Sequence, residues 1–369
     1  MKTLQQIQQQ ALLHMEYGRL ELGPSVSANP VSSYLDLALY EKEMDGIVKK
    51  RPLPWIDSSK VKNVGESYSA EFLGVPIIAV RDEQRKIRVY LNACRHRGAQ
   101  LKVVKEEQIK LVCPFHGWSY STNGNPSEIP ERQNCFASVS STAFRLKELP
   151  AYEAAGMIWI ILSQDEFSFP SAFQQLLEDR EELGFLPRHA LTEKSFIANF
   201  NWKLGVEAFL EVYHFTHAHA PYLAQLQFPN LSISDTQGEN CRIVVPLRKP
   251  SEDTSLLQWA QVMYFIFPSS FLLFYDDHVA LISLLPLSIN QTLFRAIPLV
   301  PSEASKTDSK IQQKIDFLEV IIGQDIEILE GIQKGLQCKA NRLFTFTRLE
   351  YLLAKFHQDL HVGLSTQVP

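Results

Sequence analysis

Cysteine is scarce: Cys94, Cys113, Cys135, Cys241 and Cys338 are the only five in 369 residues. That is no disulfide scaffold, and the opening MKTLQQIQQQ has no apolar signal core. A reducing, cytoplasmic setting is therefore expected, in which thiols act as core residues, metal ligands or nucleophiles. Long apolar runs are also missing. The longest uncharged one, residues 262–275, is interrupted by Pro268 and is too short to span a bilayer, so no membrane role is expected. Positive charge is not in excess. The net charge of −5 argues against binding nucleic-acid phosphates by bulk charge. Internal repeats and low-complexity tracts are absent, and with 11% aromatic and 21% charged residues the composition is that of a folded chain. Neither a G-x-G-x-x-G after a strand nor a C-x4-C-x2-C ferredoxin run occurs, so the chain carries no reductase module that these motifs would mark.

The length allows one large domain or two to three smaller ones. Residues 1–33 read as a helical arm ending in a loop, and 34–49 as a helix stopped by Pro52 and Pro54. Between 61 and 163 the pattern turns to short strands, at 72–80, 87–92, 108–113 and 156–162, separated by turn residues such as Asn123-Gly124-Asn125-Pro126. Helices return after Pro170. A meander follows at 263–267, 271–275, 279–285 and 292–300, and a long helix is expected over 305–337.

Two pairs of metal-ligand residues stand out in the strand-rich region. Cys94-Arg-His96-Arg-Gly98 and Cys113-Pro-Phe-His116-Gly117-Trp118 each place a thiol and an imidazole on a glycine-containing loop. Facing each other, such loops offer two sulfurs and two nitrogens. That set suits tetrahedral zinc, or a two-iron cluster with both cysteines on one iron and both histidines on the other. A C-x-H first pair is unusual for structural zinc, whose first pair is normally C-x2-4-C.

CRHRG followed by CPFHGWSY resembles the Rieske [2Fe–2S] motif of ring-hydroxylating and related oxygenases, over roughly residues 45–163. Respiratory members of the Rieske class carry two further loop cysteines, where this chain has Ala99 and Phe115, and a potential-raising serine, where it has Trp118. Fewer hydrogen bonds to the cluster sulfurs imply a low potential, suited to oxygen chemistry.

The second group lies further on. The segment 201–214 reads as one helix, buried because Val206, Phe209, Leu210, Val212 and Tyr213 surround it. Glu207, Glu211 and His214 would share one of its faces. Buried carboxylates need a proton, a partner or a cation. On the last long helix, Leu318, Ile322, Leu329, Ile332 and Leu336 form an apolar stripe in which Asp325 takes the missing place. Two histidines and one carboxylate form the facial triad of non-haem Fe(II) oxygenases.

The resemblance extends here. NWK, then E-x3-E-x2-H-x4-H and a distant Gln-Asp-Ile, is similar to the catalytic domain of the same oxygenases. It implies an α+β chain: an all-β Rieske domain (45–163) inserted near the N-terminus, an N-terminal arm (1–44), and a helix-on-antiparallel-sheet, helix-grip-like catalytic domain (164–369). It implies Cys94, His96, Cys113 and His116 as cluster ligands and His214, His219 and Asp325 as ligands of a mononuclear Fe(II). Asn201 and Glu211 are implied as catalytic residues, Glu211 standing where the usual bridge is aspartate. His217 is left with a structural or pocket role. Gln324-Asp325 replaces the usual Glu-Asp, and Glu207-Ala208 the usual Glu-Asn.

The resemblance further implies a homotrimer in which the cluster of one subunit serves the iron of its neighbour. Electrons would come from NAD(P)H through a separate reductase or ferredoxin, and O2 would hydroxylate, dihydroxylate or oxidatively demethylate a small organic substrate. Arg95, Arg97 and Lys102 are candidates for docking an acidic partner. The substrate pocket is expected around residues 264–285, Phe209, Phe215 and the loop 249–259, with an aromatic cage for a quaternary amine as one form. Cys135, Cys241 and Cys338 are expected in the core. A Rieske-type electron-transfer or sensing protein and a Cys2His2 zinc module are the alternatives, the first tested by the triad and the second by colour.

Overall fold

The computed structural model describes residues 2–105, 109–163, 168–179, 181–184, 189–248, 256–302 and 307–365. The chain forms two compact units, Lys50–Phe167 and, together, Met1–Lys49 with Ser168–Pro369.

The first unit is built of short antiparallel strands. One sheet sets Glu148–Leu149, Ile87–Leu91, Val75–Arg81 and Ser67–Phe72 side by side, and another Lys102–Lys105, Ile109–Val112, Ser119–Ser121 and Pro126–Glu128. Their inward side chains make one core, with Ile78, Val80, Tyr90, Leu111, Trp118 and Tyr120 packed around Cys94 and Cys113. The run expected at 72–80 is in fact a hairpin. Leu73 and Gly74 turn it at φ 49° and 77°. Two successive left-handed residues match the twist of the strands, but leucine is not a residue that announces such a turn. Of the strand expected at 108–113, Ile109–Val112 is present and residue 108 lies outside the described residues.

In the second unit an eight-stranded antiparallel sheet dominates. Its order is His189–Ala190, Gln291–Val300, Val279–Ser288, Ser270–Phe274, Ala260–Ile266, Asn240–Pro246 and Ile233–Gln237, with Lys194–Ala198 also paired along Gln291–Val300. The central strands are buried along nearly their whole length, which explains their unbroken apolar sequence. The short helix Trp202–Phe209 lies on Val279–Ser288 so closely that a Cβ on Gly205 would meet Leu284 Cδ2 at 2.9 Å. Asn201 caps this helix, accepting from Lys203 N at 3.1 Å. Asp308 caps the long helix Ser309–Gln337. The expected start of that helix, at 305, lies outside the described residues.

The segment 201–214 is not one helix. It ends at Phe209, because the Glu211 carboxylate accepts the backbone N–H groups of Tyr213 and His214. A side chain that satisfies backbone donors locally competes with the helix. The common face expected for Glu207, Glu211 and His214 is therefore replaced by a turn, and Tyr213 is 43% exposed instead of buried. Ile332, placed in the apolar stripe, is also partly exposed, at 37%, whereas Asp325 is buried. Cys241 is buried as expected, but Cys135 and Cys338 are exposed, one in a single surface turn and the other at the end of the long helix.

Candidate metal centres

The two Cys/His loops are built alike. The N–H of Gly98 donates to Cys94 O at 2.8 Å, and that of Gly117 to Cys113 O at 3.0 Å. Both glycines are left-handed, at φ 79° and 71°, a conformation that costs other residues energy. Cys94 N–H reaches Ala99 O, and Cys113 N–H reaches Trp118 O, closing each loop. The result separates the ligand types. The thiols are buried, at 4% and 2% exposure, while both imidazoles are exposed, with ring centroids 4.8 Å apart.

Burial pushes the Cys94 thiol up, and the neighbouring Cys113 adds to this. Buried thiols that must ionise need a cation beside them, and a metal on these sulfurs supplies it. The donor set therefore fits a two-iron cluster with sulfurs inside and imidazoles at the rim. Trp118 stacks under His96, at 4.9 Å and 8°. Tyr120 escaped the sequence reading. Its hydroxyl lies 3.3 Å from Cys94 Sγ and accepts from Arg95 N at 3.0 Å. Only its place two residues after Trp118, just inside the strand Ser119–Ser121, hints at it.

In the other unit, His214, His219 and Asp325 bring one donor atom each within 4.8 Å of one another. Both histidines are aimed from behind. His214 Nδ1 donates to Glu211 Oε1, and His219 Nδ1 donates to Gln324 Oε1 at 2.8 Å. In each ring this leaves the Nε2 lone pair for the triad. His214 Nε2 is 3.7 Å and His219 Nε2 2.9 Å from the same oxygen, Asp325 Oδ1. His219 is completely buried, yet its Nε2 has no hydrogen-bond partner among the described residues. A buried ring nitrogen left unpaired beside a carboxylate is what a cation between them would satisfy, so the residues fit a mononuclear metal. Burial alone would lower the His214 pKa, but the Glu211 hydrogen bond and charge outweigh it and raise it.

The long helix is locked to this segment. Gln333 Oε1 accepts from Asn201 N at 2.9 Å, and Glu330 Oε1 from Asn199 N at 2.8 Å. Asn201 itself is fully buried, its amide donating to Ile289 O at 2.8 Å and Tyr34 O at 3.2 Å. It caps and anchors the short helix. His217 is exposed and stands outside the triad. Behind Glu211, Glu207 Oε1 accepts from the Tyr34 hydroxyl at 2.6 Å and faces His357 Nε2 at 2.8 Å, a buried network the sequence did not reveal.

His214 and Asp325 border two cavities. One, of about 560 Å³, is mainly apolar and aromatic, lined by Phe209, Phe215, Met263, Phe274, Tyr275 and Phe317. The other, of about 330 Å³, carries Glu207, Glu211 and Glu350. Tyr264, expected in the pocket, instead donates to Asp179 at 2.6 Å on another part of the sheet. Of the expected loop 249–259, Leu257 and Gln258 line the larger cavity and residues 249–255 lie outside the described residues.

A β unit bearing paired Cys/His loops, joined to a sheet unit bearing a two-histidine, one-carboxylate triad, defines an iron-dependent oxidoreductase with two centres. A family model described as the Rieske [2Fe-2S] domain matches residues 52–152, and one described as the ring hydroxylating alpha subunit (catalytic domain) matches residues 185–362. The chain is similar to the carnitine monooxygenase oxygenase subunit of Escherichia coli (strain K12), 25% identical over 333 residues and 85% of each chain. It is likewise similar to the chloroplastic choline monooxygenase of Atriplex hortensis, 25% identical over 90% of this chain and 77% of that one. A solved quaternary ammonium Rieske monooxygenase in complex with L-carnitine shares the fold, with TM-score 0.77 and 18% identity over 93% of this chain and 97% of that one. The chain belongs to the Rieske non-haem iron oxygenases, as a catalytic alpha subunit. It is an oxidoreductase that uses O2, and its cofactors are a Rieske [2Fe–2S] cluster and a mononuclear iron.

Proposed function

We propose that this chain is the terminal oxygenase component of a cytoplasmic system. It takes electrons from NAD(P)H through a separate reductase or ferredoxin and inserts oxygen from O2 into a small organic substrate. In this reading residues 1–44 are an arm on the catalytic domain (164–369), and 45–163 are the Rieske domain. Cys94, Cys113, His96 and His116 hold the cluster, and His214, His219 and Asp325 hold the iron. When bound, the cluster supplies single electrons and the iron a site for O2 activation.

The chain's own contribution is positional. Glu211 and Gln324 hold the two imidazoles, and the aromatic wall excludes water from the substrate. The subunits form a homotrimer. His116 or His96 of the partner subunit approaches the carboxylate-lined cavity at Glu211, which presents acceptors to an imidazole N–H. Exposed Arg95, Arg97 and Lys102 offer an acidic reductase a basic surface.

The observation that carries this reading is the apolar cavity of about 560 Å³ with two triad residues in its wall. Monooxygenation, including oxidative demethylation, is favoured over dihydroxylation because the similar carnitine and choline enzymes are monooxygenases. The test is O2 uptake by the metal-loaded protein with a surrogate reductase, across aromatic acids, steroids and quaternary amines, with product identification. Substrate-dependent uptake with an oxygenated or demethylated product is expected. A fully loaded protein with no such uptake on any class would end the proposal.

A further inference from the structure

Glu207 joins two environments. One carboxylate oxygen, Oε1, accepts from the Tyr34 hydroxyl at 2.6 Å and faces His357 Nε2 at 2.8 Å. The other takes no hydrogen bond among the described residues, yet it is not sealed off. Glu207 lines the cavity of about 330 Å³ that His214 and Asp325 also border, so this oxygen opens into it. His357 is not in that cavity wall, but 13% of its side chain remains exposed. The pair therefore runs from a partly exposed imidazole on the last helix, Tyr351–Ser365, to the cavity beside the triad.

The atoms around the pair suit a proton on either partner. With the proton on His357, Nε2–H donates to the carboxylate. With it on Glu207, the bare Nε2 has Asn29 Nδ2 and the Tyr34 hydroxyl as donors, each at 3.3 Å. Tyr34 does not carry the proton away. It is fully buried, Asn29 Nδ2 donates to its oxygen at 2.9 Å, and burial, then the Glu207 charge, push its phenol far up, so it stays a neutral donor. The other charges facing the pair are the buried Glu43 carboxylate, bonded to the Lys203 ammonium, and Glu211 and Glu350 on the cavity wall.

Resting on the oxygenase reading above, in which a partner imidazole closes this cavity to bulk water, we infer that His357 and Glu207 relay protons from solvent to the triad side of the cavity. Insertion of one oxygen atom consumes two: RH + O2 + 2 e− + 2 H+ → ROH + H2O, with the electrons supplied by the reductase. In each transfer the His357 Nε2–H bond breaks and an O–H bond forms at Glu207 Oε1. Rotation about the last side-chain bond, a broad torsion in glutamate, turns that proton to the cavity, where water accepts it. His357 then regains a proton from solvent at its exposed edge.

The test compares two oxidants on the metal-loaded full chain. H2O2 brings its own protons, RH + H2O2 → ROH + H2O, so only the O2-driven reaction draws on the relay. The probe is choline, or whichever compound of the panel above drives the fastest uptake. Glu207→Gln keeps the acceptor at Oε1 but carries no proton, and should cut O2-driven turnover about tenfold or more relative to H2O2-driven turnover. His357→Gln should act in the same direction. In the wild type, D2O should slow the O2-driven reaction by the larger factor. Without turnover, 15N NMR of the histidine-labelled full chain, before Fe(II) is added, should show a protonated His357 Nε2, assigned by its loss in His357→Gln. Equal losses with both oxidants in a folded Glu207→Gln protein with intact cluster and iron, a D2O effect no larger for O2 than for H2O2, or a bare His357 Nε2 would each overturn the inference. The D2O comparison needs no variant, so a variant that fails to fold leaves the test standing. Those outcomes spare the oxygenase reading, whereas a loaded wild type that takes up no O2 with any compound ends that reading and the relay with it.

Discussion

His219 Nδ1 donates to Gln324 Oε1 at 2.8 Å, and that single bond decides which nitrogen of a fully buried imidazole faces Asp325. Gln324 precedes Asp325 on the long helix, so one turn of helix supplies both a triad carboxylate and the group that orients a triad histidine. Gln324→Leu should therefore weaken Fe(II) binding by roughly 10- to 100-fold, the usual effect of losing an outer hydrogen bond to a metal-bound histidine. Iron titration of protein whose cluster is intact measures it. Unchanged affinity would mean that packing alone holds the ring.

His214 and Glu211 should separate in their effects. His214→Ala removes a triad donor and is expected to abolish turnover while the visible spectrum of the cluster stays intact. Glu211→Ala leaves all three triad donors in place but removes the acceptor that orients His214 Nδ1, so it should slow turnover and weaken iron binding in the same range as Gln324→Leu, while sulfide content holds. Normal turnover by Glu211→Ala would show that its carboxylate has no part beyond ending the helix.

Tyr120 presents its hydroxyl 3.3 Å from Cys94 Sγ. A hydrogen bond to a cluster sulfur stabilises the more negative, reduced state. Tyr120→Phe is expected to lower the cluster potential by up to about 60 mV, the one-electron equivalent of a tenfold change in equilibrium. Redox titration followed by EPR reads it, and a potential that rises or stays put refutes the assignment.

Asp277 offers a pH test at a residue outside both candidate ligand sets. Burial would raise its carboxyl, but hydrogen bonds from His278, at 2.6 Å, and from Lys314 outweigh burial and hold it below the usual range. A depressed folded-state pKa contributes stability that is present above the unfolded carboxylate value of roughly 3.9 and lost as pH falls through the folded one. Asp277→Asn should thus lower stability at neutral pH by no more than about 1 kcal/mol, since the pair is partly exposed and screened. Thermal melts across pH should show the two proteins converging at the acid end.

The chemistry was legible because it is local. C-x-H-x-G and C-x2-H-G place a thiol, an imidazole and the glycine that turns the loop within five residues, so sequence spacing alone assembles each half of the candidate cluster site. The long helix was readable for the same reason: a repeat of three and four residues, with one acid in an apolar place, is a property of the chain itself. The segment 201–214 was misread because its outcome turns on a competition. Its composition favours continuing the helix, and only the folded Glu211 carboxylate, taking two backbone N–H groups, ends it at Phe209.

Sequence by itself determined the candidate ligand types, their pairing in short loops and the family they mark. The tertiary structure alone decided which nitrogen of each histidine faces inward, that Tyr120 reaches Cys94, and that Gln227 and Gln261, far apart in the chain, hydrogen-bond on one cavity wall. The reason is physical. A spacing records which residues are near along the chain, whereas orientation and burial depend on partners brought in from elsewhere, and an unmet hydrogen bond exists only once the chain has closed around it.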